Sequence, residues 1–199
     1  KSIGFPVLLK ASAGGGGRGM KVVNNEDELR KSLPIIKQEA LSFFGNDAVY
    51  VEKFIDSPRH IEVQVICDNH GNYLHLHERD CSIQRRNQKV IEEALAPAID
   101  EKDKKKLFDI CVKAMEKMNY IGLGTLEFLY EKGNFYFMEM NTRLQVEHPI
   151  TEMLTRIDLV REQICVAAGE KIIFSPAATQ ICSLTKSILV NISVIGCST

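Results

Sequence analysis

An α+β fold is expected from three features of the sequence. Strand-like segments pair off as hairpins around short turns, helical spacings of three and four mark longer stretches between them, and the two kinds mix without a regular strand-helix alternation. With 199 residues, 45% hydrophobic and 26% charged, the chain has the proportions of a globular protein that buries a core, which excludes a disordered or collagen-like chain.

Residues 5–10 (FPVLLK) and 20–23 (MKVV) read as strands joined by the glycine-rich stretch 13–19. Asn24 or Asn25 can cap a helix through EDELRKSLPIIKQEALSFF, with acidic residues in its first turn, and Pro34 is expected to interrupt it. Residues 48–55 (AVYVEKFI) form the next strand. IEVQVI, the turn DNHGN and YLHLHE then read as a hairpin, followed by a looser stretch, RDCSIQRRNQKVIEEALAPAI. Leu107, Ile110, Cys111, Ala114, Met115 and Met118 line one side of a helix over 101–118. Two more strands, TLEFLY and NFYFMEMN, meet at residues 131–133, and a last helix is expected over 151–168 with Gly169 ending it. Residues 172–199 differ in character, because Lys186 is their only charged residue. The chain opens at Lys1 inside a strand-like run, so a piece of a longer protein is expected.

Twenty-five Lys and Arg against 26 Asp and Glu leave a net charge of -1, so no overall field would hold nucleic acid or an anionic membrane. No apolar run approaches the roughly 20 residues of a membrane helix. The cysteines, Cys67, Cys81, Cys111, Cys165, Cys182 and Cys197, contain no C-x-x-C pair, which points to reduced, mostly buried thiols and neither a zinc ribbon nor a disulfide framework.

Gly14, Gly16 and Gly19 satisfy G-x-G-x-x-G, but a strand and not a helix follows, and Met20 and Lys21 stand where a Walker A loop needs Lys and Ser or Thr. What remains is a glycine-rich hairpin whose N–H groups can close over a polyphosphate, with Arg18 in the loop and Lys10 at its mouth. In the late hairpin, alternation puts Thr125, Glu127 and Leu129 on one face and Phe135, Phe137, Glu139 and Asn141 on one face of the partner strand. A turn centred near Gly133 sets Glu127 opposite Glu139. Facing carboxylates repel, so they lie in water or share a cation, and with Asn141 they offer oxygen donors suited to Mg²⁺. Just beyond, Arg143, Gln145 and Glu147 alternate in NTRLQVEHP, so an extended backbone would aim all three to one side. An Arg fork matches bicarbonate and a neighbouring Glu can take its proton, although an exposed Arg-Glu ion pair fits the same pattern. Arg79, Arg85, Arg86 and Lys89 suit an anion, and the lack of interleaved aromatics counts against nucleic acid. His75 and His77 share a strand face without zinc-like spacing.

The blocks KASAGGGGRGM, VEKFI, PRHIEVQV, ERDCSIQRRNQKVIEEA, GTLEFLY and FMEMNTRLQVEHPITEM together resemble the ATP-grasp domain of biotin carboxylase, from Lys1 to about Lys171. The resemblance implies residues 1–58 as a small subdomain carrying the glycine lid and residues 59–171 as a large one, clasping ATP, with 172–199 as a non-matching tail. It implies nucleotide contacts from Lys10, Gly15, Gly16, Gly17, Glu52, Lys53, Phe54, Ile55, His60, Gln84, Asn87 and Leu129. It implies a magnesium or manganese site at Glu127, Glu139 and Asn141. Lys89, Arg143, Gln145 and Val146 match a bicarbonate pocket and Glu147 the general base, so Glu147, Arg143 and Lys89 are the catalytic candidates. Asn87 stands where many members carry His. The implied activity is ATP-dependent carboxylation of biotin by way of carboxyphosphate, as part of an acyl-CoA carboxylase of fatty acid metabolism. The implied partners are a biotin carboxyl carrier protein and a carboxyltransferase, with a homodimer in the full-length enzyme, in the cytoplasm or the mitochondrial matrix. Alternatives are a truncated, non-catalytic Mg-ATP-binding fragment, or the ATP-grasp part of pyruvate carboxylase or carbamoyl-phosphate synthetase.

Overall fold

The structure, a computed structural model, describes residues 3–14 and 18–173 and the backbone of 188–191. The chain divides into two compact units, Lys1–Asp56 with Arg85–Gln88, and Ser57–Gln84 with Lys89–Thr199. Both mix helices with antiparallel sheet, the α+β class expected.

In the first unit, β1 (Val7–Ala11) lies between β2 (Met20–Val23) and β3 (Val49–Lys53). β1 and β2 pair antiparallel, and the Ala11 N–H bonds to the Gly19 carbonyl at 2.9 Å. Gly19 has φ +66, and a Cβ there would stand 3.0 Å from the Ala11 Cβ, so both conformation and space call for glycine. The helix α1 (Glu26–Phe44) starts on Asn25, whose side chain accepts from the Glu28 N–H at 2.9 Å. It runs unbroken through Pro34, against expectation. Pro34 and Arg30, whose carbonyl loses its partner, both lie on the exposed side, so water can satisfy that carbonyl. Val7, Leu9, Val23 and Ile36 form the core of this unit.

The second unit is built on a six-stranded sheet in the order β8-β7-β4-β5-β6-β9. Its strands are β4 (Arg59–Cys67), β5 (Tyr73–Arg85), β6 (Gln88–Ala94), β7 (Gly122–Glu131), β8 (Asn134–Asn141) and β9 (Ile188–Asn191). The stretch expected to be loose, residues 79–99, instead continues β5 through Arg85 and supplies β6, the two joined by Arg86 and Asn87 with φ 53 and 62. Two consecutive residues with positive φ are what a two-residue hairpin needs, and Asn accepts that region at low cost. β9 extends the sheet from within 172–199 by pairing with β6.

On one face of this sheet Ile61, Val63, Val65 and Cys67 of β4 meet Leu107, Cys111 and Met115 of α2 (Glu101–Met118). Lys104 fastens this helix to β5 through Glu78 at 3.0 Å. The opposite face packs Ile66, Leu76 and Leu123 against Ile157, Leu159 and Val166. The single helix expected over 151–168 is two, α3 (His148–Thr155) and α4 (Leu159–Ala167). Arg156 ends α3 in the left-handed region at φ 62, and the Asp158 side chain caps α4 by accepting from the Arg161 N–H. Gly169, with φ 86, follows the end of α4 as expected. Among the described residues no helix is long and apolar enough to cross a membrane. Cys67, Cys81 and Cys111 are buried free thiols and Cys165 is half-buried, while Cys182 and Cys197 lie outside the described residues.

Candidate active site

On the α3 and α4 side of the large sheet, one rung runs Glu139, Glu127, Glu62, Arg79 across β8, β7, β4 and β5. The rung beside it on the same face holds Asn141, Thr125 and Gln64. The opposition of Glu127 and Glu139 is as expected, although it arises with a bulge. The turn falls on Lys132 and Gly133, so Glu131 pairs with Asn134 and Phe128 with Phe137, and Met138 is then inserted before Glu139 meets Glu127. The bulge also corrects the expected grouping of side chains. Phe135 and Phe137 meet Phe128 edge-on, with ring centres 6.3 and 5.7 Å apart, on the α2 side, whereas Glu139 and Asn141 share the Glu127 side.

Glu62 and Glu127 are both buried and directly opposite, so they need cations. The first is Arg79, with no exposure. Its Nε donates to Glu62 Oε1 at 2.5 Å, Nη1 to Gln64 Oε1 at 2.8 Å and Thr151 Oγ1 at 2.7 Å, and Nη2 to Thr125 Oγ1 and Gln145 Oε1 at 3.5 Å. Every guanidinium donor therefore has an acceptor. The second is Lys89, whose Nζ lies 2.5 Å from Glu62 Oε2, 2.6 Å from Glu147 Oε1 and 3.1 Å from Glu127 Oε1. Burial works to lower the Lys89 pKa, but the surrounding carboxylates, Glu62 foremost, lift it well above the ordinary lysine value. Burial likewise opposes ionisation of Glu62, and Arg79 and Lys89 overcome it.

Glu127 is the hub. Its Oε1 accepts from Gln145 Nε2 at 2.7 Å, Asn141 Nδ2 at 2.8 Å and Lys89, while Oε2 accepts from His60 Nε2 at 2.6 Å. Burial pushes its pKa up, but the His60 hydrogen bond and the Lys89 charge prevail and hold it at about 2. Glu92, 2% exposed, behaves oppositely: burial and repulsion from Glu147 and Glu62 raise its pKa, and its Oε2 has no hydrogen-bond partner.

The segment from Arg143 to Glu147 is not the extended strand expected. β8 ends at Asn141, the His148 N–H bonds back to the Gln145 carbonyl at 3.2 Å, and Glu147 is the N-cap residue of α3. Gln145 and Glu147 turn inward and are buried, while Arg143 and Val146 are exposed. Among the described residues Arg143 bonds only to the neighbouring Leu144 carbonyl, at 3.2 Å. Lys89, Gln145 and Glu147 therefore converge and Arg143 stands free of them. Leu129 pairs with His60 across β7 and β4, and Gln84 bonds to His60 at 2.9 Å.

In the first unit Lys10 Nζ lies 3.9 Å from Glu52 and 5.9 Å from the Tyr50 ring centre, Lys53 is exposed, and Ile55 is buried. The Phe54 N–H bonds to the Pro6 carbonyl at 3.4 Å. Asn87 sits in the β5–β6 turn. Gly15, Gly16 and Gly17 lie outside the described residues.

The donor set fits a divalent cation. Oε1 of Glu127 is saturated by three donors, Oε2 keeps a lone pair, and Glu139 is exposed with no donor among the described residues. Ligating atoms of Glu62, Cys81 and Glu147 also lie within 4.8 Å of one another, but the Lys89 ammonium already bonds to both of those carboxylates. Sequence reasoning missed Glu62, Gln64 and Thr151, placed Thr125 on the Glu127 face without a role, and took Arg79 only as part of a basic stretch. The signal available was the pair of polar residues in IEVQVI, which strand alternation alone would send to water.

Residues 1–174 match the family described as carbamoyl-phosphate synthase L chain, ATP binding domain. The chain is 56% identical over 174 residues to the Haemophilus influenzae protein named biotin carboxylase, covering 87% of this chain and 39% of that protein. It is 56% identical over 171 residues to the mitochondrial methylcrotonoyl-CoA carboxylase subunit alpha of Rattus norvegicus, covering 85% of this chain and 24% of that one. The chain thus spans less than two fifths of the length of these relatives. Among solved structures it superposes on the biotin carboxylase domain dimer of Hydrogenobacter thermophilus 2-oxoglutarate carboxylase, in complex with MgADP, ADP and bicarbonate. There the TM-score is 0.87 and the identity 47%, covering 94% of this chain and 41% of that one. The Campylobacter jejuni biotin carboxylase gives a TM-score of 0.85 and 51% identity, covering 90% and 40%. The chain belongs to the carbamoyl-phosphate synthase L chain ATP-binding domain family, with the ATP-grasp fold of biotin carboxylases.

Proposed function

We propose that this chain is the ATP-grasp part of a biotin carboxylase, which uses ATP and bicarbonate to carboxylate biotin on a carrier protein within an acyl-CoA carboxylase. The observation that carries this reading is the Lys89 ammonium held between Glu62, Glu127 and Glu147, beside the spare lone pair of Glu127. It sets a candidate proton acceptor, a fixed positive charge and a cation site in one buried cluster. The likeness to relatives named for this activity supports it.

In this reading residues 1–58 are the small, glycine-lid subdomain and residues 59–171 the large one. Glu147 takes the proton of bicarbonate, and Arg143, whose guanidinium has only a backbone carbonyl as partner, turns to hold the anion with Lys89, Gln145 and the Val146 backbone. The deprotonated oxygen attacks the γ-phosphorus of ATP while the bond to the bridging oxygen breaks, releasing ADP and giving carboxyphosphate, and the charge on the transferring phosphoryl group is offset by Lys10. Glu127, Glu139 and Asn141 would hold Mg²⁺ or Mn²⁺, which supplies neutralisation of phosphate charge. Glu52, Lys53, Phe54, Ile55, His60, Gln84, Asn87 and Leu129, with Gly15, Gly16 and Gly17, are the residues that the resemblance assigns to nucleotide contact, and exclusion of water protects a labile intermediate. Carboxyphosphate then breaks to CO₂ and phosphate, phosphate takes the N1 proton of biotin, and that nitrogen captures the CO₂. A carboxyltransferase and a second copy of the full-length enzyme are its partners, in the cytoplasm or the mitochondrial matrix.

Bicarbonate-dependent ATP hydrolysis, with and without biotin, tests the reading. Glu147→Gln is expected to cut bicarbonate-dependent turnover by roughly 10²–10⁴-fold. Turnover that persists at the unsubstituted rate would remove Glu147 as the base.

A further inference from the structure

Gln84 is bonded in a way that fixes which nitrogen of His60 carries the proton. Its Nε2 lies 2.8 Å from the Cys81 carbonyl oxygen and 2.9 Å from His60 Nδ1. The carbonyl can only accept, so the amide nitrogen and not the amide oxygen must face it, and the flipped amide is excluded. With one N–H given to Cys81, the other points at His60 Nδ1, which must then be the unprotonated, accepting nitrogen. The proton sits on Nε2, where it is donated to Glu127 Oε2 at 2.6 Å.

The proximity of His60, Glu62 and Glu127, with ligating atoms within 4.8 Å of one another, would by itself suggest a histidine ligand. The tautomer argues otherwise, because Nε2–H has no lone pair to give. His60 instead holds the one oxygen of Glu127 that has room for a cation, since Oε1 is filled by Lys89, Asn141 and Gln145.

We propose that Gln84 is a positioning residue for the divalent-cation site: it anchors the His60 ring through Nδ1, so that the Nε2–H shared with Glu127 is held in one direction, and His60 in turn sets the direction of the free lone pair on Glu127 Oε2. This rests on Glu127 being a metal carboxylate, as proposed above. Outer partners of this kind are worth about 10–100-fold in metal affinity.

The test uses the full chain labelled with ¹⁵N-histidine, in which His60 is one of five histidines and is assigned by the signal lost in His60→Ala. Without metal, His60 is expected to show a protonated Nε2 and a bare Nδ1. Gln84→Met, of similar length but without a donor, is expected to leave the proton on Nε2, where Glu127 accepts it, but to free the ring to turn and weaken Mn²⁺ binding about 10–100-fold by electron paramagnetic resonance. Gln84→Glu, which can only accept, is expected to draw a proton to Nδ1 and weaken Mn²⁺ as well, and it serves if Gln84→Met does not fold. A protonated Nδ1 in the unsubstituted chain, or unchanged Mn²⁺ affinity in a folded Gln84 variant, overturns the proposal. If Glu127→Gln binds Mn²⁺ as tightly as the unsubstituted chain, the metal reading itself fails, and the metal-free tautomer measurement tells that failure apart from a failure of the lock.

Discussion

Arg79 has no exposure and satisfies all its donors on five different side chains, which makes it the structural centre of the acidic face. Removing its charge leaves Glu62 buried with Lys89 alone against it. Arg79→Met is expected to destabilise the chain by about 3–5 kcal/mol, read from urea denaturation, because an uncompensated buried charge remains. His75 offers a second test at the same scale. It stacks on Phe108 at 4.1 Å, its Nδ1 has no hydrogen-bond partner, and burial, then the His77 charge, lower its pKa to about 4 while Asp109 opposes them. The folded pKa lies below the unfolded value near 6.5, so the unfolded chain binds the proton more readily. Stability is then fully present above about pH 6.5 and falls as the pH drops toward 4, by roughly 1–3 kcal/mol. His75→Phe is expected to flatten that limb in denaturation curves taken at several pH values, and an unchanged slope would assign the loss to other groups.

Among the elements, the β5–β6 hairpin carries both Gln84 and Lys89 into the site, and its turn depends on Arg86 and Asn87 at φ 53 and 62. Asn87 thus has a backbone reason to be present, whatever it does for a nucleotide. Asn87→Val is expected to cost about 1–2 kcal/mol in thermal or urea unfolding, since a β-branched residue resists the left-handed region, while Asn87→Gly is nearly neutral. An Asn87→Val chain as stable as the original would show that the turn can relax to another type. The helix α2 was legible in its bounds because its apolar residues recur every three or four positions, although Ile110 and Met118, expected on that side, are exposed. The break between α3 and α4 was not, because no Gly or Pro marks it. It depends on Arg156 entering the left-handed region and on the Asp158 cap, with Ile157 buried between them.

At the scale of the whole molecule, a net charge of -1 conceals a strong local arrangement. Glu62, Glu127 and Glu147 are buried around Lys89 and Arg79, and the remaining acidic surplus is what a divalent cation would balance. The sequence by itself determined the α+β class, the glycine hairpin, the main helix and the facing carboxylates of β7 and β8, because these follow from local periodicity and turn chemistry. The six blocks from KASAGGGGRGM to FMEMNTRLQVEHPITEM likewise identified the family. Only the tertiary structure decided that Glu62 and Gln64 are buried, since both faces of β4 are covered and alternation cannot tell which polar face a later helix will meet. It also decided that Arg79 answers Glu62, that Gln145 and Glu147 turn inward while Arg143 does not, and that His60 donates its proton to Glu127. Each of these depends on groups far apart in the chain being fixed within hydrogen-bond distance, and no local pattern records that.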